Sequence, residues 1–393
     1  MRSSPRSILI VNPFGIGDVL FTTPLVRAVR GAFPESRIGY LCNRRTESIL
    51  RGNPHLNELF VYERDEVVRL WQTSRREWVR LLLQFVRRVR RARFDLVIDL
   101  SLGERYTLIL MLLGVRRRVG FDYRRRGRFL SEALSIDGYH DIHVVDYYRR
   151  LLRFMGIVMD DGALECRVAD EDERWVDAWL RERGLDGPAG GGQGQRPLVG
   201  LVPAGGVSWG VGAPFRRWSA EGFAAVGDRL AARYGARVLL FGEAADSAVC
   251  AAVAKFMTQP AVDVSGQTTL GRFLGLLKRL SLVVCNDGGP LHLAVSQRTK
   301  TVSIFGPVDP RVYGPYPPDP GQQQVVLRGE MLCRPCYHVF KLPPCPYERA
   351  CLTGIEPDEV IRACDALFGN DYADSQSKTV VESRFRRSGD FYG

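Results

Sequence analysis

An acid, two glycines, a proline and a histidine fall within seven residues at 286–292, in the run VCNDGGPLHLA. The apolar segment before them reads as a strand, so Asn286 and Asp287 stand at its end. Gly288 and Gly289 let backbone come close to a ligand. Pro290 suits the first turn of a following helix, whose free amides, Leu291 among them, favour phosphate. With Asp287 and His292 at the same mouth, the pattern fits an anion nest for a sugar diphosphate. It fits equally a plain glycine turn, with Asp287 as helix cap and His292 packed inside.

Two more segments carry chemistry of this kind. Residues 12–24, NPFGIGDVLFTTP, make a glycine-rich turn after the apolar run SILIV. The G-x-G-x-x-G spacing is absent, so a dinucleotide reading is weak. Asp18 at the tip of the turn could take a proton from an acceptor hydroxyl, or cap a helix beginning near Thr22. Residues 203–219, PAGGVSWGVGAPFRRWS, set Gly205 and Gly206 at a strand end and Arg216 and Arg217 beside Trp218. Such amides and guanidinium groups can hold a diphosphate and stabilise it as it leaves. The alternative is an ordinary loop with solvated arginines. No D-x-D pair stands at a suitable strand end; LFGEAAD at 240–246 comes nearest and has the wrong spacing.

Of nine cysteines, Cys42, Cys166, Cys250, Cys285 and Cys364 are isolated and read as reduced core residues. Cys333, Cys336, Cys345 and Cys351 cluster, with Pro335, Pro343, Pro344 and Pro346 to stiffen the loop. The spacing suits a structural zinc, free thiols, or one redox-labile disulfide.

These residues need a scaffold. Strands are expected at 7–11, 37–43 and 94–101, with a helix at 22–33 between the first two. The alternation implies a parallel, doubly wound sheet. The glycine-rich run 187–196, GPAGGGQGQR, reads as a linker. The pattern then restarts, with strands at 197–203, 237–243, 282–287 and 301–307 and helices near 219–234 and 269–280. We therefore expect a domain over 1–186, the linker, a second domain over 197–368 containing the cysteine-rich segment 333–351, and a disordered polar tail at 369–393. Two doubly wound domains facing across a cleft would bind ligands at their strand ends.

The chain has 393 residues and a net charge of +11, mostly from arginine. Hydrophobic residues are 45% and charged residues 25%, a soluble globular balance. No apolar run is long enough to span a membrane, and the start is not a secretory signal; a cytoplasmic protein is expected. The charge points to anionic partners or to a GC-rich genome. Residues 78–93, WVRLLLQFVRRVRRAR, form an amphipathic helix with one face nearly all arginine, and further clusters lie at 116–118 and 124–128. They read as a docking face for anionic lipid of the inner leaflet or a lipid-linked acceptor, or as a solvated face. Base-stacking aromatics are sparse among them, which argues against nucleic acid.

The three motifs, in their order and spacing, resemble glycosyltransferase family 9, the ADP-heptose:lipopolysaccharide heptosyltransferases. The resemblance runs over nearly all of 7–365. Its most specific part is VVCNDGGPLHLA followed by FGPVDP. It implies an α/β GT-B fold and an inverting enzyme (EC 2.4) with no metal cofactor for catalysis. It implies an ADP-sugar donor and a saccharide or lipid-linked acceptor, in lipopolysaccharide core or other surface-glycan assembly. Asp18 matches the family's general base. Arg216 stands where the family usually has a phosphate-gripping lysine. Asp287 to His292 match the segment that holds the donor phosphates and sugar, with Gly288 where a serine or threonine is frequent. Glu243 or Asp246 falls where the donor ribose is held, and Thr268 where the base is lined. Family members often carry a cysteine-rich segment here. The rivals are a different nucleotide-sugar donor, an epimerase-like reaction on the same fold, and a degenerate scaffold that binds nucleotide or membrane.

Overall fold

The computed structural model describes residues 4–186, 196–205, 210–329, 331–337 and 340–368. Most of the expected linker, Gly206 and the expected tail 369–393 lie outside the described residues. The chain divides into two compact units. One comprises Met1–Ala169 with Arg311–Pro317 and Tyr337–Lys341; the other comprises Asp170–Pro310, Pro318–Cys336 and Leu342–Gly393.

The first unit holds a six-stranded sheet built from β1 (Ser7–Val11), β2 (Arg37–Cys42), β3 (Glu58–Val61), β4 (Leu96–Asp99), β5 (Arg117–Tyr123) and β6 (Glu132–Ile136). Their order is β3-β2-β1-β4-β5-β6, and every pair is parallel. The second sheet uses β7 (Leu198–Val202), β8 (Arg237–Leu240), β9 (Ala261–Asp263), β10 (Leu282–Asn286), β11 (Thr301–Phe305) and β12 (Gln323–Leu327), again all parallel, in the order β12-β11-β10-β7-β8-β9. Both sheets thus follow one plan: the first strand sits at the centre, with the second and third on one side and the fourth to sixth on the other. The order in which strands are added reverses between β1 and β4 and between β7 and β10. Loops at the carboxyl ends of those pairs splay apart and form the binding crevice of such sheets.

The strands read most plainly from sequence are buried on both faces. β1, β4, β7, β10 and β11 are buried at every position, the reason for their unbroken apolar runs. The strands β3, β5, β6, β9 and β12, toward the sheet edges, were not among those expected. β5 begins with Arg117 and Arg118, which look like part of a basic patch. Instead Arg117 pairs with Glu132 on β6 at 2.9 Å, and the Arg118 guanidinium donates to the carbonyls of Phe129 (2.6 Å), Arg116 (3.0 Å) and Val115. Arg128 pairs with Glu104 at 2.8 Å. Arg117, Arg118 and Arg128 are therefore engaged within the fold itself.

The boundary between the units falls at Ala169–Asp170, ahead of the expected linker. The helix Asp170–Glu182 packs on the second sheet's helix Leu270–Leu277. It buries Val176, Trp179 and Leu180, and ion pairs join the two elements: Glu173 with Lys278 at 2.7 Å and Arg279 at 3.0 Å, and Asp177 with Arg279 at 2.7 Å.

Candidate active site

In the second unit, two of the three sequence motifs meet at the β7–β10 reversal. β7 ends in Pro203–Gly205 and β10 in Asn286–Asp287. Asn286 ties the two: its side-chain amide donates to the Pro203 carbonyl at 2.6 Å, and its Oδ1 accepts from the Trp218 backbone amide at 2.9 Å. Trp218 is fixed in turn by its indole N–H, which donates to the Ile355 carbonyl at 3.0 Å. The short helix Gly210–Arg216 ends just before it. Arg216 is thereby aimed at Asp287, at 2.5 Å, with the two side chains only 7% and 4% exposed. Burial holds the Asp287 carboxyl above its ordinary range, and the Arg216 charge pulls the other way.

Gly288 is the residue that lets the turn form. Its φ is +154°, and a Cβ there would stand 2.6 Å from the Gly205 carbonyl oxygen. Gly205 itself has φ +79°. Gly288 caps the helix Gly289–Ser296, which carries Pro290 in its first turn and buries Leu291 and His292. So the two glycine turns pack backbone to backbone, and the amides opening the helix sit beside the Arg216–Asp287 pair. A hydroxyl residue at position 288, frequent in the resembled family, would collide with Gly205. Gly288→Ala is expected to cost on the order of 2–3 kcal/mol through strain and overlap. Chemical denaturation of the variant measures this; an unchanged midpoint would mean the turn relaxes freely.

Asp246 lies in the short helix Ala244–Asp246 after β8 and is buried. Its Oδ1 pairs with Arg217 at 3.1 Å, and its Oδ2 accepts from the Glu243 amide at 3.2 Å. Arg217 also donates to the Ala204 carbonyl at 2.9 Å. Asp246 therefore braces the β7 turn through Arg217, whereas Glu243, the other expected ribose ligand, is exposed. Thr268 is half-buried, immediately before Thr269, which caps Leu270–Leu277.

In the first unit, the turn after β1 is a single helical turn, Ile16–Leu20, and Asp18 lies inside it. Asp18 Oδ2 accepts from the Gly15 amide at 3.2 Å. The carboxylate closes the start of this short helix, rather than capping the later helix Thr23–Ala32. Asn12, fully buried, holds the turn down: its amide donates to the Asp18 carbonyl at 3.1 Å and its Oδ1 accepts from Phe14 at 3.1 Å. Asp18 is half-buried, at the carboxyl end of the central strand. Its charge reaches the buried phenols of Tyr40, Tyr139 and Tyr148, and together with burial it keeps them protonated. These tyrosines went unnoticed in the sequence because they come from separate segments.

Asp99, the last residue of β4, lies across the reversal from β1 and belongs to none of the three motifs. It is 4% exposed; Oδ1 accepts from the Ser101 amide at 2.8 Å, while Oδ2 has no partner among the described residues. An acid ending an otherwise apolar strand was the available signal. Burial raises its carboxyl to about 6. The folded protein then keeps a proton that the unfolded chain releases near pH 4, so this residue's contribution to stability falls as pH rises from about 4 to 6. Relative to wild type, Asp99→Asn should gain on the order of 2–3 kcal/mol between about pH 4 and pH 7. Urea melts of both proteins at the two pH values test this; parallel shifts would contradict it.

All nine cysteines are free thiols. Cys42, Cys250, Cys285 and Cys364 are buried and Cys166 is half-buried. Cys333, Cys336, Cys345 and Cys351 influence one another's charge, and burial with these neighbours pushes the Cys336 thiol up to about 11. The Cys336 thiol donates to the Cys333 carbonyl at 2.7 Å, and Cys345 Sγ accepts from the Arg349 amide at 3.3 Å. Among the described residues no three His, Cys, Asp or Glu side chains are placed to hold a metal ion. The thiols as placed do not fit the expected structural zinc.

Comparison with known proteins fits this geometry. A solved glycosyltransferase of family 9 from Veillonella parvula DSM 2008 aligns at TM-score 0.75 with 23% identity, covering 93% of this chain and 98% of that one. The structure of E. coli ADP-heptose lps heptosyltransferase II aligns at 0.68 with 19% identity, covering 93% and 99%. Lipopolysaccharide heptosyltransferase 3 of Escherichia coli (strain K12) is 24% identical over 304 residues, 76% of this chain and 82% of its own length. The fold is therefore GT-B, the two-sheet class of sugar transferases. The model of glycosyltransferase family 9 (heptosyltransferase) matches residues 82–342, well over half of the chain, and the chain belongs to that family.

Proposed function

We propose that this glycosyltransferase moves a heptose, or a related sugar, from an ADP-sugar donor to a saccharide or lipid-linked acceptor, with inversion at the anomeric carbon. The acceptor would belong to lipopolysaccharide core or another surface glycan, and the enzyme would work in the cytoplasm at the inner face of the membrane. The observation that carries the reading is the β7–β10 turn, where Gly205, Gly288, a helix start and the buried Arg216–Asp287 pair come together. The name of the E. coli heptosyltransferase II supplies the donor by analogy.

In this reading the diphosphate lies on the amides of Gly288, Gly289 and Leu291 and shares the Arg216 guanidinium with Asp287. Pro290 offers no amide and fixes the helix start. As the sugar leaves, negative charge builds on the diphosphate, and donors already fixed in place stabilise it without reorganising. Asp287 and His292 orient the donor sugar. Glu243, exposed after β8, is the carboxylate open to the donor ribose, with Asp246 holding Arg217 behind it; Thr268 lines the base. Asp18 takes the proton of the attacking hydroxyl, which must approach opposite the leaving diphosphate for inversion.

The test is direct. Purified protein is incubated with ADP-heptose and a truncated core saccharide, and ADP release and product mass are followed. A product one heptose heavier, with inverted anomeric configuration by NMR, supports the reading. Hydrolysis alone, or turnover only with a different nucleotide-sugar, contradicts it. Gly288, in place of a phosphate-directed hydroxyl, is the reason to include those other donors.

A further inference from the structure

We propose that the helical hairpin formed by Arg64–Thr73 and Arg75–Ala92 docks on an anionic lipid bilayer. This deepens the reading of an enzyme with a lipid-linked acceptor, by assigning the surface that meets the membrane itself.

The helix Arg75–Ala92 carries seven arginines and one acid, Glu77, a net +6 out of the chain's +11. Its inner face packs on the first sheet: Val89 and Ala92 are buried with Leu9, Val11 and Val97, and Phe85 packs against them. At 3.6 residues per turn, Arg76, Arg80, Leu83, Arg87 and Arg90 recur along the opposite stripe. Arg88 turns inward, to Glu58 at 2.8 Å and the Leu59 carbonyl at 2.8 Å. By contrast, Arg76, Arg80, Arg87, Arg90 and Arg91 have no carboxylate partner among the described residues. This is unlike the arginines at 117, 118 and 128, which the fold uses.

Charge is only half of the pattern. The exposed large apolar side chains of this hairpin are Val68, Trp71, Val79 and Leu83, each 45–47% exposed. Trp71 meets Trp78 edge-on at 4.8 Å, and the Arg75 guanidinium lies over its ring at 4.3 Å. A tryptophan and aliphatics set among unpaired arginines suit the headgroup region, where apolar groups enter the acyl boundary and guanidiniums reach lipid phosphates. A nucleic acid would use the arginines but would leave Val68, Val79 and Leu83 without a role. No helix of the described residues is long and apolar enough to cross a membrane, so the hairpin would lie on the surface.

The full chain is sedimented with phosphatidylcholine vesicles, with and without phosphatidylglycerol, over a salt series. Binding is expected only to the anionic vesicles and should weaken with salt. Arg76→Gln with Arg80→Gln and Arg87→Gln should lower the partition on the order of 100-fold. Val68→Ser with Trp71→Ser and Leu83→Ser should lower it about 10-fold or more. Circular dichroism and melting confirm that each variant is folded. Sugar transfer to a water-soluble acceptor should be unchanged in the arginine variant, which separates failure here from failure of the proposed reaction. Equal binding to both vesicle types, or none to either, would overturn the proposal. So would tight binding of a DNA duplex that survives the serine substitutions.

Discussion

Asp18→Ala is expected to lower transfer by about 10²–10⁴-fold while leaving ADP affinity within about twofold. The asymmetry follows from position. Asp18 stands in the first unit, at the carboxyl end of β1, whereas the residues proposed to hold the donor lie in the second. Removing the carboxylate also removes the contact with the Gly15 amide, at a cost of about 1 kcal/mol. Asp18→Asn keeps a side-chain oxygen for that amide and should restore stability but not rate. The measurement is turnover at saturating donor beside calorimetric ADP binding. Loss of binding and turnover together, in a folded protein, would remove Asp18 from the role of base.

Arg216→Ala should be the more damaging change. It strands the Asp287 carboxylate at 4% exposure, and breaking one side of a buried pair costs about 3–5 kcal/mol. Part of that cost is avoided if Asp287 takes up a proton, toward which burial already pushes it. The variant should therefore regain stability as pH falls: the raised carboxyl binds in the folded protein a proton that the unfolded chain has released. Arg216→Ala/Asp287→Ala should be more stable than Arg216→Ala alone. ADP affinity should drop by at least about 100-fold in the single variant, since a charge-assisted contact and the turn's order are lost together. Arg216→Lys should recover part of both, short of wild type, because an ammonium cannot reproduce the fork of a guanidinium. Thermal melts and calorimetry on the four proteins decide this. An alanine variant with wild-type stability would mean that the pair is not buried as described.

Much of this was legible in the residues. Strands β1, β4, β7 and β10 announce themselves because parallel strands covered on both sides must be apolar throughout. The turns after β7 and β10 announce themselves because their positive φ at 205 and 288 favours glycine, and at 288 a Cβ would meet the Gly205 carbonyl. What stayed hidden were partnerships. Arg216 and Asp287 belong to different loops, and nothing local tells that β7 and β10 are neighbours and bring them to 2.5 Å. The same holds for Arg217 and Asp246 at 3.1 Å. Read alone, Arg216 and Arg217 are either diphosphate ligands or solvated charges; in place, each also pairs with a buried acid. Arg117 and Arg118 stand in a basic cluster that reads as a docking or solvated face, and the fold engages both, through Glu132 on β6 and the carbonyls of Val115, Arg116 and Phe129. Asp99 escaped notice since a polar residue ending a strand is common, and only its burial and its unpartnered oxygen set it apart.

In the proposed reading the β7–β10 turn holds the diphosphate of an adenine nucleotide. Calorimetric titration of the full chain with ADP, GDP, UDP and dTDP, repeated on Arg216→Ala, tests it most directly. ADP should bind more tightly than the other three, and the variant should lose it. Preference for another nucleotide would keep the turn as a donor site and end the heptosyl assignment. Binding of none, or binding indifferent to Arg216, would contradict the account.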